Sequence, residues 1–72
     1  MDMKYTIVIE KTRTGFSAYV PDVPGCIAAG SSREDVINLM SEALPDHIQL
    51  MRESGEEIPE PTATAEVLEV AA

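Results

Sequence analysis

Ile37, Met40, Leu44, Ile48 and Met51 recur at spacings of three, four, four and three, the period of one face of an amphipathic helix. One helix presents one apolar stripe, and that stripe has to be covered by another layer. Its start is marked by Ser31 or Ser32 as cap, with Glu34 and Asp35 at the positive end of the helix dipole. Ser32 and Asp35 have the spacing of a capping box, with Asp in place of the stronger Glu. Gly55 is placed to close the helix in a left-handed cap. Pro45 lies inside this span and removes the hydrogen bond to the Ser41 carbonyl, at a cost of about 3 kcal/mol. The apolar spacing passes through Pro45 without a change of phase. One helix kinked near Ser41–Leu44 is therefore expected over two helices at an angle.

The chain before the helix has a different period. Met3, Tyr5, Ile7 and Ile9 alternate with Lys4, Thr6 and Glu10, and Val8 is the one apolar residue on the second face. Such alternation predicts a half-buried strand. Thr12-Arg13-Thr14-Gly15 suits a hairpin connection, and Phe16, Ala18 and Val20 share one face of a second strand. Pro21 ends that strand, because proline cannot donate to a ladder. In Pro21-Asp22-Val23-Pro24-Gly25-Cys26, the Pro24-Gly25 pair suits the centre of a type II turn. A short third strand over Cys26–Ala29 follows, broken by Gly30. Beyond the helix, Ile58-Pro59-Glu60-Pro61 predicts a stiff, extended crossing. Ala65, Val67, Leu68 and Val70, with Glu66 and Glu69 on opposite faces, predict a last edge strand. The expected fold is α+β: an antiparallel sheet with one helix on one face, in the order β-β-β-α-β, as a single domain over residues 1–72. A helix on one face leaves Val8 and Tyr19 on the other in want of a second subunit.

Composition narrows what such a domain does. A core in 72 residues rarely supplies more than about 3–5 kcal/mol. Its one cysteine cannot form an internal disulfide. No apolar run approaches the roughly 20 residues of a membrane span, and Met1-Asp2-Met3-Lys4 does not open a signal peptide. A cytoplasmic protein stabilised by association is expected. The formal charge of −8 is uneven. Residues 1–33 carry three acids and four bases, residues 34–52 four acids and one base, and residues 53–72 six acids and no base. Nucleic-acid binding needs clustered Lys and Arg, and Lys4, Lys11, Arg13, Arg33 and Arg52 are scattered. A basic protein is the better partner, since opposite potentials speed encounter.

Candidate chemistry is sparse. A two-metal hydrolytic site needs carboxylates converging on ions about 3.5–4 Å apart, and none of Glu10, Asp22, Glu34, Asp35, Glu42 and Asp46 is expected beside another on an apolar face. Glu42 and Asp46 are adjacent at i, i+4, which fits a solvated helix face. His47 has no second ligand at metal spacing and reads as a half-buried structural residue. Cys26 lacks the base and orienting group of a nucleophile and reads as a small buried hydrophobe. No metal or other cofactor is expected. Asp22 differs: two residues on stands Pro24, which has no N–H for an Asx turn. Its carboxylate is left to the Gly25 N–H, to water, or to a donor on another molecule.

The hairpin leading into Tyr19-Val20-Pro21-Asp22-Val23-Pro24-Gly25-Cys26, the Gly30-Ser31-Ser32-Arg33-Glu34-Asp35 helix opening and the Gly55…Ile58-Pro59-Glu60-Pro61 exit together resemble the HicB-like antitoxins, over roughly residues 3–70. The resemblance implies a partial ribonuclease-H-like fold and a non-enzymatic role: masking a small basic toxin, HicA, that cleaves mRNA. It also implies a homodimer or higher oligomer. Many members carry a C-terminal DNA-binding segment, and none is expected within these residues. Ser31-Ser32 stands where Asp-Thr is common in the family, and Pro45 interrupts the helix. On this reading Asp22, Glu42, Asp46, Glu53, Glu56, Glu57 and Glu60 are the expected electrostatic contacts, while Pro21, Pro24 and Gly25 shape the turn. The alternatives are a solitary oligomeric module without a toxin, and a metal-dependent ribonuclease.

Overall fold

A computed structural model describes residues 2–72. Three short strands, β1 (Val8–Lys11), β2 (Phe16–Tyr19) and β3 (Ile27–Gly30), precede one long helix, α1 (Arg33–Glu53). The strands form an antiparallel sheet in the order β1-β2-β3, and α1 packs across β3 and β2. This is the expected α+β arrangement through its first four elements.

β1 is shorter than the alternating pattern of residues 3–10, and the loop after β2 explains why. The register Val8↔Tyr19 would next place Ile7 opposite Val20 and Thr6 opposite Pro21. The Val20 carbonyl instead accepts from Val23 N–H at 3.0 Å, and Val20 N–H donates to the Cys26 carbonyl at 3.3 Å. Pro21 has no N–H to offer. Tyr5 and Ile7 still turn to the core, as Ile9 does. β3 runs one residue later than the predicted Cys26–Ala29, because Gly30 stays in register opposite Phe16.

The loop is built from two turns in succession. Val23 N–H closes the first on Val20, and Cys26 N–H closes the second on Val23 at 3.2 Å. Gly25 sits at φ 86°, the left-handed position that the type II turn demands. Val23 and Cys26 are thereby driven inward, and with Ala18, Val20, Val36 and Met40 they make the buried core. Val36 lies outside the five-residue stripe, yet it is the most deeply buried of all. The space opposite it exists because Gly30 has no side chain: a Cβ there would stand 3.2 Å from Val36 Cγ2.

Ser32 is the N-cap, its Oγ accepting from Asp35 N–H at 3.0 Å. The capping box is not closed in the usual way, since the Asp35 carboxylate takes the Ser31 hydroxyl at 2.6 Å. At the other end Gly55 adopts φ 74°. Glu56 N–H donates to Met51 O and Gly55 N–H to Arg52 O, which is a Schellman closure. The helix runs unbroken through Pro45. Both Pro45 and Ser41 are exposed, so the carbonyl that Pro45 cannot serve lies on the wet side, where water satisfies it.

The predicted fifth element does not form. Residues 56–72 make no strand, and Val67, Leu68 and Val70 are 94%, 80% and 78% exposed. An extended segment becomes a strand only when a neighbour supplies the ladder, and no sheet strand pairs with these residues. The Ile58–Pro61 crossing does reach the sheet: Tyr5 Oη donates to the Pro59 carbonyl at 2.5 Å.

The hairpin carries a testable constraint. Thr12 N–H donates to Gly15 O at 2.8 Å, and Thr12 Oγ1 accepts from Gly15 N–H at 3.0 Å. A methyl group on Gly15 would run into the Gly30 carbonyl oxygen, a backbone atom of the third segment of the fold. Gly15→Ala is expected to destabilise by about 1–3 kcal/mol, read as a lower urea midpoint; an unchanged midpoint would show that the hairpin yields freely.

Candidate functional site

The acidic residues fall into two geometries with different chemistry. The first is a clamp. One Asp22 oxygen, Oδ2, accepts from Thr62 N–H at 3.0 Å and from Ala63 N–H at 2.8 Å, while Oδ1 accepts the Thr62 hydroxyl at 3.0 Å. Thr6 Oγ1 adds a bond to the Ala63 carbonyl at 2.8 Å. The Gly25 N–H is not used. Asp22 binds the returning chain instead, forty residues further on. Sequence spacing gave no sign of this, because the partner is a polar stretch of no marked pattern.

The electrostatics agree with the geometry. The Ala63 N–H is the strongest influence holding the Asp22 carboxyl below its ordinary range; partial desolvation opposes it, and the two Thr62 donors assist. A carboxylate whose folded value is depressed contributes stability above its unfolded value, and loses it as pH falls through the folded one. The clamp should therefore hold at neutral pH and open only in acid below the ordinary carboxylate range. Amide exchange at Thr62 and Ala63 reads this directly. Asp22→Ala should raise exchange there at pH 7 while the α1 amides stay protected. Equal protection in the variant would show that the clamp does not hold the tail.

The second geometry is a stripe. At about 100° and 1.5 Å per residue, Asp35, Glu42, Asp46 and Glu53 fall within about 40° of arc and span roughly 27 Å along α1. All four are exposed, on the side away from Val36 and Met40. Leu39 and Leu50, 45% and 62% exposed, flank them on one side. An open depression of about 290 Å³ lies at the N-terminal end, lined by Gly30, Asp35, Asn38, Leu39 and Glu42. From sequence Asp35 was read as a helix-start residue and weighed among the carboxylates of a metal site; its place in the stripe follows from the unbroken helical phase. Glu53 accepts a long bond from Gln49 Nε2 at 3.4 Å. Glu56, Glu57 and Glu60 are exposed beyond the helix and extend the negative field towards the tail.

The remaining candidates are structural in their surroundings. Cys26 is buried, with Sγ 3.7 Å from Met40 Sδ, and desolvation pushes its thiol up, away from the reactive thiolate. His47 is half-buried, with Cε1 3.9 Å from where a Gly25 side chain would begin, so it packs against the turn. Among the described residues, no three His, Cys, Asp or Glu side chains gather where they could hold a metal ion. Among the described residues, no helix is long and apolar enough to cross a membrane. What the surface offers is an elongated negative face with an apolar flank on one side, suited to binding a cationic surface.

The chain is similar to several known proteins. Residues 5–71 match the family described as HicB-like antitoxin of bacterial toxin-antitoxin systems. An uncharacterized 14.9 kDa protein of Haemophilus phage HP1 is 44% identical over 57 residues, covering 79% of this chain and 43% of its own length. A UPF0150 protein of Thermoplasma acidophilum is 32% identical, covering 85% and 90% of the two chains. A protein called antitoxin HicB 2, from Photorhabdus laumondii, is 31% identical over 90% of this chain and 47% of its own. The chain thus spans less than half the length of the phage and Photorhabdus relatives. A solved HicA3 and HicB3 toxin-antitoxin complex includes a chain 37% identical to this one, with a TM-score of 0.71 over 83% of this chain and 70% of that one.

Proposed function

The chain belongs to the HicB-like antitoxins of bacterial toxin-antitoxin systems, and from that premise we propose that it is a binding protein, not an enzyme, that covers a small basic HicA-like toxin. The observation that carries this reading is the α1 stripe of Asp35, Glu42, Asp46 and Glu53. A row of carboxylates on a rigid helix presents fixed acceptors to Lys and Arg, which bind carboxylates through strong charge-assisted bonds. Leu39 and Leu50 supply the apolar contact that salt does not screen. Glu56, Glu57 and Glu60 widen the field that steers a cationic partner inward. The relatedness to a chain solved with a toxin supports a HicA-like protein as that partner, met in the cytoplasm where mRNA is cleaved.

Asp22 has a different part in this account. Its oxygens are taken by Thr62 and Ala63, so it serves binding by fixing the tail and not by touching the partner. Pro21, Pro24 and Gly25 hold the loop that presents it. The test is co-expression with the product of a short basic reading frame beside the gene. The chain should restore growth and co-purify with that product. Growth arrest that persists at excess chain would overturn the reading.

A further inference from the structure

β3 is an edge strand without the devices that keep edges from pairing. Among the described residues it pairs only with β2. Edges are commonly blunted by Lys, by Pro or by a bulge. Ile27-Ala28-Ala29-Gly30 has no charge and no proline, and its register against β2 is unbroken. The hairpin decides where its main-chain groups point. Val20 N–H donates to the Cys26 carbonyl, and bonded and non-bonded pairs alternate along an antiparallel ladder. Ala18 with Ala28 and Phe16 with Gly30 are therefore the bonded pairs. The N–H and C=O groups of Ile27 and Ala29 face the open side, and among the described residues no turn, loop or cap bond engages them.

The helix flanks this edge. Leu44, Pro45 and Ile48 share a groove with Met3 and Tyr5, on the β1 side. The opposite flank carries Leu39, Ala43 and Leu50, within about 40° of arc at 100° per residue. That flank looks to β3, since Leu39 lines the depression of about 290 Å³ together with Gly30, Asp35 and Glu42. On the outer face of β3, Ile27 is 72% exposed. A chain laid along β3 would thus find unused main-chain partners, an acidic depression on the helix side and an apolar residue on the other.

We propose that the free edge of β3 takes an extended segment of the basic partner as an added strand, one in which Lys or Arg alternates with apolar residues. The proposal rests on the antitoxin reading and names the part of the partner that docks. Main-chain bonds give such a strand its affinity, and alternate side chains give it specificity. On the helix side a Lys or Arg lays its stem on Leu39 and its charged head among Asp35 and Glu42. On the outer side an apolar residue covers Ile27. Charge decides between occupants. A second copy docked edge to edge would bring two α1 acidic stripes together, and like charges juxtaposed at an interface are costly. The chain's own tail carries Glu66 and Glu69 and is anchored at Thr6 and Asp22. A cationic strand meets no such repulsion.

The experiment uses the full chain and the purified product of the short basic reading frame beside its gene. On binding, exchange at the Ile27 and Ala29 amides should slow at least about tenfold, while the Ala28 amide, already bonded to β2, changes less. Ala29→Pro removes an N–H that the sheet does not use, a position where edge strands tolerate proline. Its helical circular dichroism should match the parent's, and its affinity should fall at least about tenfold, because the docked strand is left with an unpaired carbonyl. The salt dependence of its association rate should persist, since the α1 carboxylates are untouched. Binding that leaves both amides fast would overturn the proposal and spare the antitoxin reading. So would an Ala29→Pro chain that binds as tightly as the parent. Protection of Ile27 and Ala29 that grows with concentration in the chain alone would give the edge to a second copy and overturn it too. A parent chain that binds none of the basic product would overturn the antitoxin reading itself, and this proposal with it.

Discussion

Met40→Ala is expected to leave the chain largely unfolded at room temperature. Met40 is 2% exposed and sits where α1 crosses the sheet, with its sulfur 3.7 Å from Cys26 Sγ. Truncating a buried Met to Ala costs about 2–5 kcal/mol, through lost transfer energy and the cavity left behind. A core in a chain of this length supplies about 3–5 kcal/mol in all, so one side chain accounts for most of the margin. Among the described residues the buried set holds six, and none of the other five is as large. Urea unfolding followed by far-ultraviolet circular dichroism reads the loss. Leu39→Ala and Leu50→Ala, on the exposed side of the same helix, should stay within about 0.5 kcal/mol of the parent. A Met40→Ala protein as stable as these controls would show that the core does not close where the structure places it.

The second large effect concerns association. Reversing Glu42, Asp46 and Glu53 to Lys should slow binding to a basic HicA-like toxin by at least about tenfold at low salt, the lower end of what electrostatic steering contributes. The parent's association rate should fall steeply as salt is added, and the variant's should not, because screening acts only on the attraction that is present. Folding should be little affected, since all three side chains are exposed. Stopped-flow mixing at two salt concentrations decides it. A variant that associates at the parent's rate, with the same salt dependence, would place the toxin elsewhere on the molecule.

The residues that spoke clearly in the sequence are those whose structural cause is local. Pro24-Gly25 specified a turn because only glycine takes φ 86° without strain. Ser32 and Gly55 marked the helix ends because caps act within one turn. The stripe from Ile37 to Met51 survived Pro45 because the phase of a helix is local too. What stayed hidden depends on contacts far apart in the chain. Val36 entered the core because Gly30 leaves room opposite it, a fact about two elements and not one. Asp22 found Thr62 and Ala63 across the fold, and nothing in Thr62-Ala63 advertises an anion site. The tail's pattern was read as a last edge strand, and none forms, because a propensity without a neighbouring strand stays a coil. Of the proposed acidic face, Glu42, Asp46 and Glu53 stood out in the sequence by charge. Their alignment with Asp35 became visible only once the helix was known to run unbroken.

On the proposed function, this chain acts by covering a cationic toxin. The most direct measurement is the rate of mRNA cleavage by a purified HicA-like toxin as this chain is titrated in. Cleavage should fall to background at a fixed stoichiometric ratio, and the chain by itself should cleave nothing. Toxin that remains active in the presence of excess chain, or RNA cleaved by the chain alone, would contradict the account.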